Sequence, residues 1–264
     1  MRLAFFGGIY NNYLALEAAI ADAKSRGADE IYCLGDLGAF GPHPDRVFPL
    51  IHEHNVVCIQ GNYDDSIGNQ LDDCQCGYTD PHDNYFAQIS YDYTLKNTSA
   101  ENREFLRSLP KELRLERDGL KLLLCHGSPR RTNEFLWESA TSTSFLERQM
   151  QDAEADLILA THTGLRWRRE LSEGREFVNV GVLGRPENDG TTNVWYTMLK
   201  TGDDAPAEPR YEVEFIPVEY DFERLATEME AEKLPPEFVA TVRTGWWTTC
   251  LEILPSKERR RGEF

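Results

Sequence analysis

Three features of the sequence predict an α/β fold with two sheets and a helical region at the C-terminal end. Residues 1–62 alternate between short apolar segments and segments in which apolar side chains recur at helical spacing. Short apolar or alternating segments, which are typical of strands, return after residue 120. The chain has 264 residues, of which 41% are hydrophobic, so it can bury a large core. We therefore expect a single folded domain over residues 1–264.

The N-terminal part of the chain predicts a β-α-β-α-β order. The expected elements are a strand over residues 2–6, a helix over 13–24, a strand over 30–34, a helix over 44–54 and a strand over 55–59. Because a helical segment separates each strand from the next, we expect parallel strands joined by crossover helices.

The rest of the chain is more mixed. Residues 70–83 are polar and irregular, and residues 84–109 follow with two helical pieces, so residues 70–110 are expected as an irregular and helical insertion, which the family resemblance described below implies to lie near the site. Further strands are expected over residues 121–125, 156–160, 166–171, 175–180, 193–199 and 211–218, the last four in antiparallel pairs. Residues 201–209 form an acidic connector. Helices over 222–233 and 236–244 belong to a C-terminal helical appendage over 220–264.

Acidic side chains dominate the charge of the chain. Asp and Glu number 45 against 28 Lys and Arg, which gives a formal net charge of −17 at pH 7. Such a surface repels a polyanion on average, so we expect no extended nucleic acid as a partner. The clearest basic run, residues 257–261, contains Glu258 and is interpreted as a solvated end of the chain.

No segment indicates a membrane span or an export signal. A span needs about 18 or more consecutive apolar residues, and all the apolar runs of this chain are short, so no membrane association is expected. The N-terminus has no long apolar region, so we expect a cytoplasmic protein.

Polar side chains directly follow four of the predicted strands. They are Asp36, Asn62, His126 and His162. Because the carboxyl ends of parallel strands share one edge of a sheet, these side chains could converge on one point. A carboxylate, an amide carbonyl and two imidazoles suit a borderline ion such as Zn, Mn or Fe. The simpler interpretation is a turn or cap residue for Asp36 and a hydrogen-bonded polar side chain for either histidine.

Longer segments around these residues resemble a known family. Residues 31–44 have the sequence IYCLGDLGAFGPHP, residues 122–129 LLLCHGSP and residues 177–186 FVNVGVLGRP. These segments are similar to motifs of the calcineurin-like metallophosphoesterase superfamily, particularly its small bacterial phosphodiesterases. The resemblance implies a four-layer α/β/β/α sandwich with C-terminal helices and a metal site at the strand ends.

The resemblance is incomplete at the metal ligands. The family binds two ions. Three ligands of one ion are the Asp and His of an Asp-x-His motif and the second His of a Gly-His-x-His motif. In this sequence those three positions are Gly8, Tyr10 and Gly164. The ligands of the other ion are retained as Asp36, Asn62, His126 and His162. The resemblance therefore implies one divalent transition metal ion, Mn, Fe or Zn, and a second ion is not expected.

The family's Gly-Asn-His-Asp motif falls on residues 61–64, and two residues there are expected to be catalytic. The family has a His there that donates a proton to the leaving oxygen, and Tyr63 stands at its position. A phenol, with an ordinary pKa of about 10, donates a hydrogen bond near neutral pH but rarely acts as a base. Asp64, next in the chain, either accepts the phenol proton or caps the following turn.

Further candidates for the site have alternative interpretations. Tyr10 either reaches the vacant ligand position or fills its space, and Asn12 lies in the same loop. Arg130 and Arg185 either hold a phosphate by paired hydrogen bonds or lie solvated in loops.

The cysteines fall into two groups. Cys33, Cys58 and Cys125 lie in apolar runs and are interpreted as small core residues. Cys74 and Cys76 form a C-x-C pair in the irregular segment, where they could bind a soft ion. Without an export signal, a disulfide framework is not expected.

Taken together, these features predict a metal-dependent hydrolase of a small phosphate ester with a reduced, one-ion site. Two alternatives stay open: a non-catalytic relative that binds a phosphorylated metabolite or a partner protein, and a non-hydrolytic iron enzyme to which Cys74 and Cys76 contribute. The expected partner is a small phosphorylated molecule, and a homo-oligomer also stays open.

Overall fold

The computed structural model of the chain describes residues 1–205 and 210–259. In these ranges the strands are β1 Arg2–Phe6, β2 Glu30–Cys33, β3 Val57–Cys58, β4 Glu112–Arg117, β5 Leu120–Cys125, β6 Leu157–Ala160, β7 Trp167–Glu170, β8 Glu176–Asn179, β9 Val194–Thr201 and β10 Tyr211–Val218. The α-helices are α1 Tyr13–Ser25, α2 Val47–Glu53, α3 Asn62–Asn69, α4 Pro81–Asn97, α5 Ala100–Ser108, α6 Thr143–Ala153, α7 Phe222–Ala231, α8 Pro236–Thr244 and α9 Ser256–Arg259.

The strands form two five-stranded sheets, with orders β10-β9-β1-β2-β3 and β4-β5-β6-β8-β7. Strands β1, β2 and β3 are parallel, and so are β5, β6 and β8, while the remaining pairs are antiparallel. The predicted parallel arrangement of the N-terminal part is confirmed. The antiparallel prediction for residues 175–180 is wrong on one side, because β8 is antiparallel to β7 but parallel to β6.

Alternation of side chains along the strands produces three layers of core. Leu3 of β1 and Leu159 of β6 lie between the two sheets. Ala4, the next residue of β1, belongs to the core under the helices on the first sheet, whereas Ile158 of β6 packs with α6 on the second sheet. Each sheet is therefore buried on both faces, which is the four-layer α/β/β/α arrangement that the resemblance implies.

Several elements differ from the sequence-based expectation. Helix α4 begins at Pro81 rather than at residue 84, because Asp80 caps it and proline fits its first turn. Strand β4, helices α3 and α6 and the short α9 were not predicted. Strand β4 is an edge strand in which only Leu113 and Leu115 are apolar, and α3 carries mostly polar residues.

Two of the expected segments lie partly outside the described residues. The connector over 201–209 is described up to residue 205, and the basic run over 257–261 up to residue 259. No helix in the described part of the chain is both long and apolar enough to cross a bilayer.

The backbones at the ends of β2 and β3 approach closely at Gly35. A Cβ atom on Gly35 would lie 2.3 Å from the backbone nitrogen of Gly61, and Gly35 has a φ of +92°. Only a residue without a side chain allows both the left-handed conformation and this contact. The contact brings the loop that carries Asp36 against the loop that carries Asn62.

We expect Gly35→Ala to destabilise the fold more than Gly119→Ala, which serves as its matched control. Gly119 has a φ of +76° but no atom within 4 Å of its Cβ position, so alanine there adds backbone strain alone. The strain should lower the free energy of unfolding by about 1–2 kcal/mol in both variants. Overpacking against Gly61 should add about 1–3 kcal/mol in Gly35→Ala. Urea unfolding of both variants measures the difference, and equal losses would contradict the proposed contact.

Candidate metal centre

The four side chains predicted to converge lie at the same end of the two sheets. Asp36 follows β2, Asn62 opens α3, His126 follows β5 and His162 follows β6. Within residues 1–205 and 210–259, Asp36, His126 and His162 form the one group of three carboxylate, imidazole or thiol side chains whose donor atoms lie within 4.8 Å of one another. Asn62 lines the same cavity as Asp36 and His162.

A buried carboxylate fixes the loop that carries Asp36. Asp64 Oδ2 accepts hydrogen bonds from the backbone N–H groups of Asp36, at 2.7 Å, and Gly61, at 2.8 Å, while its Oδ1 accepts from that of Leu37 at 2.9 Å. These bonds hold Asp36 at a φ of +58°, a left-handed conformation that is uncommon for a residue with a side chain. Burial and the charge of Asp36 raise the pKa of Asp64 to about 7.

His162 is held in a tight turn after β6. The Asn179 side chain donates to the Thr161 carbonyl and to Thr163 Oγ1, both at 2.9 Å. Thr161 Oγ1 in turn donates to the carbonyl of Gly181 at 2.7 Å. His162 has a φ of +68°, so its position depends on these polar contacts from β8 and the loop that follows it.

Hydrogen bonds also orient the His126 imidazole. Its Nδ1–H donates to the Leu34 carbonyl at 2.6 Å, and its Nε2 lies 3.3 Å from Asp36 Oδ2. A backbone acceptor on Nδ1 leaves Nε2 to bind an ion, which is the usual arrangement of metal-binding histidines. Burial lowers the pKa of His126, but the charge and hydrogen bond of Asp36 outweigh it, and the pKa is raised.

Among the four predicted ligands, two buried polar atoms have no partner. Asn62 Oδ1 and His162 Nε2 lack a hydrogen bond in the described structure. Burial and the nearby His126 lower the pKa of His162 to about 3, so its imidazole stays neutral and can act as a ligand. Because an unpartnered buried polar group is costly, these atoms fit the ligand role that the resemblance implies for them.

The segment with Cys74 and Cys76 differs from the expectation. The two cysteines are joined in a disulfide, with their Cα atoms 5.2 Å apart, a separation that a disulfide bridges readily. In this form neither sulfur is a thiolate available to a soft ion. Asn62 Nδ2 donates to the Cys74 carbonyl at 2.8 Å and lies 3.4 Å from Cys76 Sγ. The disulfide segment therefore orients the Asn62 amide and leaves its oxygen free.

The remaining cysteines match the prediction where one was made. Cys33, Cys58 and Cys125 are free thiols buried in the core. Cys250 is also free and buried, and it lies in the wall of the cavity at the site.

Tyr63 and Asp64 do not contact each other through the phenol. The Tyr63 hydroxyl lies 3.3 Å from the Ala87 carbonyl and 3.2 Å from Ser90 Oγ, while Asp64 is bound to backbone N–H groups. Burial raises the pKa of Tyr63, so the phenol keeps its proton. Asp64 accepts from the backbone N–H of Gly61 at the start of α3. It therefore acts as a cap, which is the second of the two roles that the sequence suggested. Tyr63 lines the cavity, and a catalytic role for either residue stays a prediction.

Of the other residues that the sequence suggested for the site, some line the cavity and others lie outside it. Tyr10 lines the cavity, whereas Asn12 caps α1 through a 3.0 Å bond from the Ala15 N–H. Arg130 is exposed, and its Nε donates to Glu134 Oε2 at 2.9 Å, so it lies outside the cavity wall. Arg185 is buried in that wall, so the solvated alternative is wrong for it and fits Arg130.

The cavity has a volume of about 50 Å³ and is closed partly by residues that the sequence did not indicate. Phe40, Tyr78 and Phe86 contribute aromatic walls, and Phe238 and Cys250 come from the C-terminal region. Long-range packing brings these side chains to the site, and no local pattern marks them. The indole of Trp247 is buried nearby.

The sequence profile of the calcineurin-like phosphoesterase superfamily domain matches residues 1–204. The chain belongs to this superfamily. The family uses divalent metal ions, and the fold of this chain and its group of Asp36, His126 and His162 agree with that membership.

Individual relatives of the superfamily extend the match over nearly the whole chain. The uncharacterized protein MJ0912 of Methanocaldococcus jannaschii is 26% identical over 250 residues, which cover 88% of this chain and 93% of the relative. The hypothetical protein PH1004 of Pyrococcus horikoshii OT3 has a TM-score of 0.73 at 25% identity, covering 94% and 99% of the two chains. A metallophosphoesterase of Sphaerobacter thermophilus has a TM-score of 0.69 at 24% identity, covering 93% and 99%.

We expect Asp64→Asn to lower the free energy of unfolding by about 2–3 kcal/mol, because an amide has one acceptor oxygen for three buried backbone donors. Asp65→Asn is the matched control, since the Asp65 carboxylate accepts only from Asn69 in an exposed contact. Its effect should stay within about 0.5 kcal/mol. Urea unfolding measures both variants, and an Asp64→Asn protein as stable as the control would contradict the role of Asp64.

We expect the double variant Cys74→Ala/Cys76→Ala to bind its metal ion about tenfold more weakly, because the Asn62 amide loses the Cys76 sulfur and the disulfide no longer holds the carbonyl of residue 74 in place. Gln75→Ala, an exposed position between the two cysteines, should leave the affinity unchanged. Competition with a fluorescent chelator measures the ion affinity. Equal affinities in the double variant and the parent protein would show that the disulfide does not position Asn62.

Proposed function

We propose that this protein is a metal-dependent hydrolase of a small phosphate ester that works with one bound ion. The observation that carries the proposal is that Asn62 Oδ1 and His162 Nε2, buried and unpartnered, belong to residues that line a cavity with Asp36. Together with His126 they supply the oxygen and nitrogen donors that Mn, Fe and Zn accept. The resemblance assigns these same four positions to one ion of the superfamily.

We propose a single ion because this chain lacks most of the ligands that the superfamily uses for its second ion. Gly8 and Gly164 bring no donor side chain to the positions of a carboxylate and an imidazole. The phenol of Tyr10 was the sequence-based alternative for that position. Burial and the charge of Asp36 raise the pKa of Tyr10, so it keeps its proton and is a poor ligand.

The residues around the site divide the remaining tasks. An ion bound here would polarise a phosphoryl oxygen and lower the pKa of a water molecule. Tyr63 holds its proton in the cavity wall and, in this proposal, donates a hydrogen bond to the leaving oxygen. Asp36 keeps its Oδ1 bound to the backbone N–H of Tyr63 at 2.9 Å, which ties the two positions together.

The size and charge of the protein favour a small substrate. A cavity of about 50 Å³ with aromatic walls suits a small group such as a phosphoryl group. The net charge of −17 repels an extended polyanion. A small phosphorylated molecule is therefore the proposed partner.

Elemental analysis tests the proposal directly. Protein stripped with a chelator and reloaded with Mn²⁺, Fe²⁺ or Zn²⁺ should retain about one ion per chain and hydrolyse a small ester such as p-nitrophenyl phosphate. We expect His126→Ala to lose the ion and at least about 100-fold of the activity, because a ligand is removed. His82→Ala is the matched control, since His82 is an exposed histidine on α4.

The outcomes separate the parts of the proposal. Two ions per chain would contradict the one-ion site, and a His126→Ala protein with full activity would contradict the assigned ligands. A protein that binds no ion and hydrolyses no ester after reloading would overturn the proposal in favour of a non-catalytic role.

A further inference from the structure

The space beside the missing ligands of the second ion is filled by other side chains. A Cβ atom on Gly8 would lie 2.4 Å from Cε1 of the Tyr10 ring, and one on Gly184 would lie 2.2 Å from its Cδ2. A Cβ atom on Gly164 would lie 3.2 Å from the Trp247 ring and 3.6 Å from Arg185 Nη2. These positions therefore do not fit a second ion. The Arg185 guanidinium lies close to the point where a ligand side chain at residue 164 would start.

Arg185 is a buried cation without a carboxylate partner. Arg185 is only 7% exposed, and its Nε has no hydrogen bond. Its guanidinium forms no ion pair with any described residue. Glu187, two residues on, is bound to the backbone and guanidinium of Arg166 instead. A buried charge with neither counter-ion nor hydrogen bond is costly, so the guanidinium is expected to have an anionic ligand.

Aromatic side chains hold the guanidinium in place. Its Cζ lies 3.6 Å from the centre of the Trp247 ring and 6.0 Å from that of Phe40. Trp247 Nε1 donates to the Pro186 carbonyl at 2.6 Å, and its backbone N–H donates to Asn188 Oδ1 at 2.8 Å. Stacking on an anchored indole orients a guanidinium but leaves its N–H groups free for a ligand.

We propose that Arg185 takes the place of the second ion as the cation that binds the phosphoryl group, and that the substrate is a phosphate monoester. This inference rests on the proposed function, because the anion would lie between the single ion and Arg185. Asp36, a divalent ion and Arg185 sum to a formal charge of two positive units, which matches the dianion of a monoester.

The number of phosphoryl oxygens favours a monoester over a diester. A monoester has three non-bridging oxygens, so one can meet the ion while two accept the paired N–H groups of a guanidinium. A diester has two such oxygens and a second ester arm. That arm would have to pack against the apolar walls of the cavity, which include Phe86 and Phe238.

Binding of inorganic phosphate tests the role of Arg185 without relying on turnover. Calorimetry on the ion-loaded protein should show that Arg185→Met weakens phosphate binding by at least about thirtyfold, since a charge-assisted bidentate contact is lost. Arg185→Lys, which keeps the charge but not the fork, should show an intermediate loss. Arg148→Gln is the matched control, because Arg148 is an exposed arginine on α6.

Ion content measured on the same samples distinguishes this inference from the proposed function. Arg185 is not a metal ligand, so Arg185→Met and the parent protein should carry the same number of ions. Equal phosphate affinity at equal ion content would overturn the inference and leave the proposed function standing. If the protein holds no ion and Arg185→Met still loses phosphate binding, the anion site is supported and the proposed function fails.

Hydrolysis of two model esters tests the substrate class. The parent protein should have a higher kcat/KM for p-nitrophenyl phosphate than for bis(p-nitrophenyl) phosphate, and Arg185→Met should lose most of this preference. Parent protein that prefers the diester would overturn the monoester assignment. Unfolding curves of the Arg185 variants check that each variant is folded, and Arg185→Lys supplies a second test if the methionine variant is not.

Discussion

The Asp64 carboxylate is the constraint on which the site depends. It collects backbone N–H groups from the end of β2 and from the loop before α3, and so fixes the loop of Asp36 relative to that of Asn62. The close approach of Gly35 and Gly61 is part of the same junction. Buried charge-assisted hydrogen bonds are strong in a low-dielectric interior, so a small number of them can hold two loops rigidly.

Three of the buried polar atoms without a hydrogen-bond partner belong to residues that line the cavity at the candidate site. Hydrogen bonds satisfy the atoms that build the loops, such as those of Asp64 and Asn179. In contrast, Asn62 Oδ1, His162 Nε2 and Arg185 Nε lack partners and belong to residues in the wall of one cavity. In the proposed function, two of these atoms bind a metal ion and the third binds an anion, a combination that suits a phosphate ester.

Sequence reasoning identified much of this arrangement but not its details. Asp36, His126 and His162 could be predicted because each follows an apolar strand, and strand ends of a parallel sheet share one edge. Arg130 and Arg185 could not be distinguished, since each follows a turn-rich segment, and only packing leaves one exposed and buries the other. The disulfide of Cys74 and Cys76 was not expected, because the expectation rested on compartment rather than on the two-residue spacing.

By itself, the sequence determined most of the order of strands and helices, the parallel core and the four polar residues at strand ends, because these follow from local hydrophobic patterns and from motifs at strand ends. The tertiary structure decided which side chains fill the space beside Gly8 and Gly164. Tyr10, Arg185 and Trp247 come from three separate segments, and their contact depends on how the C-terminal region packs over the sheet edge. Such long-range packing leaves no periodic signal along the chain, so a charge buried by it becomes visible only in the folded protein.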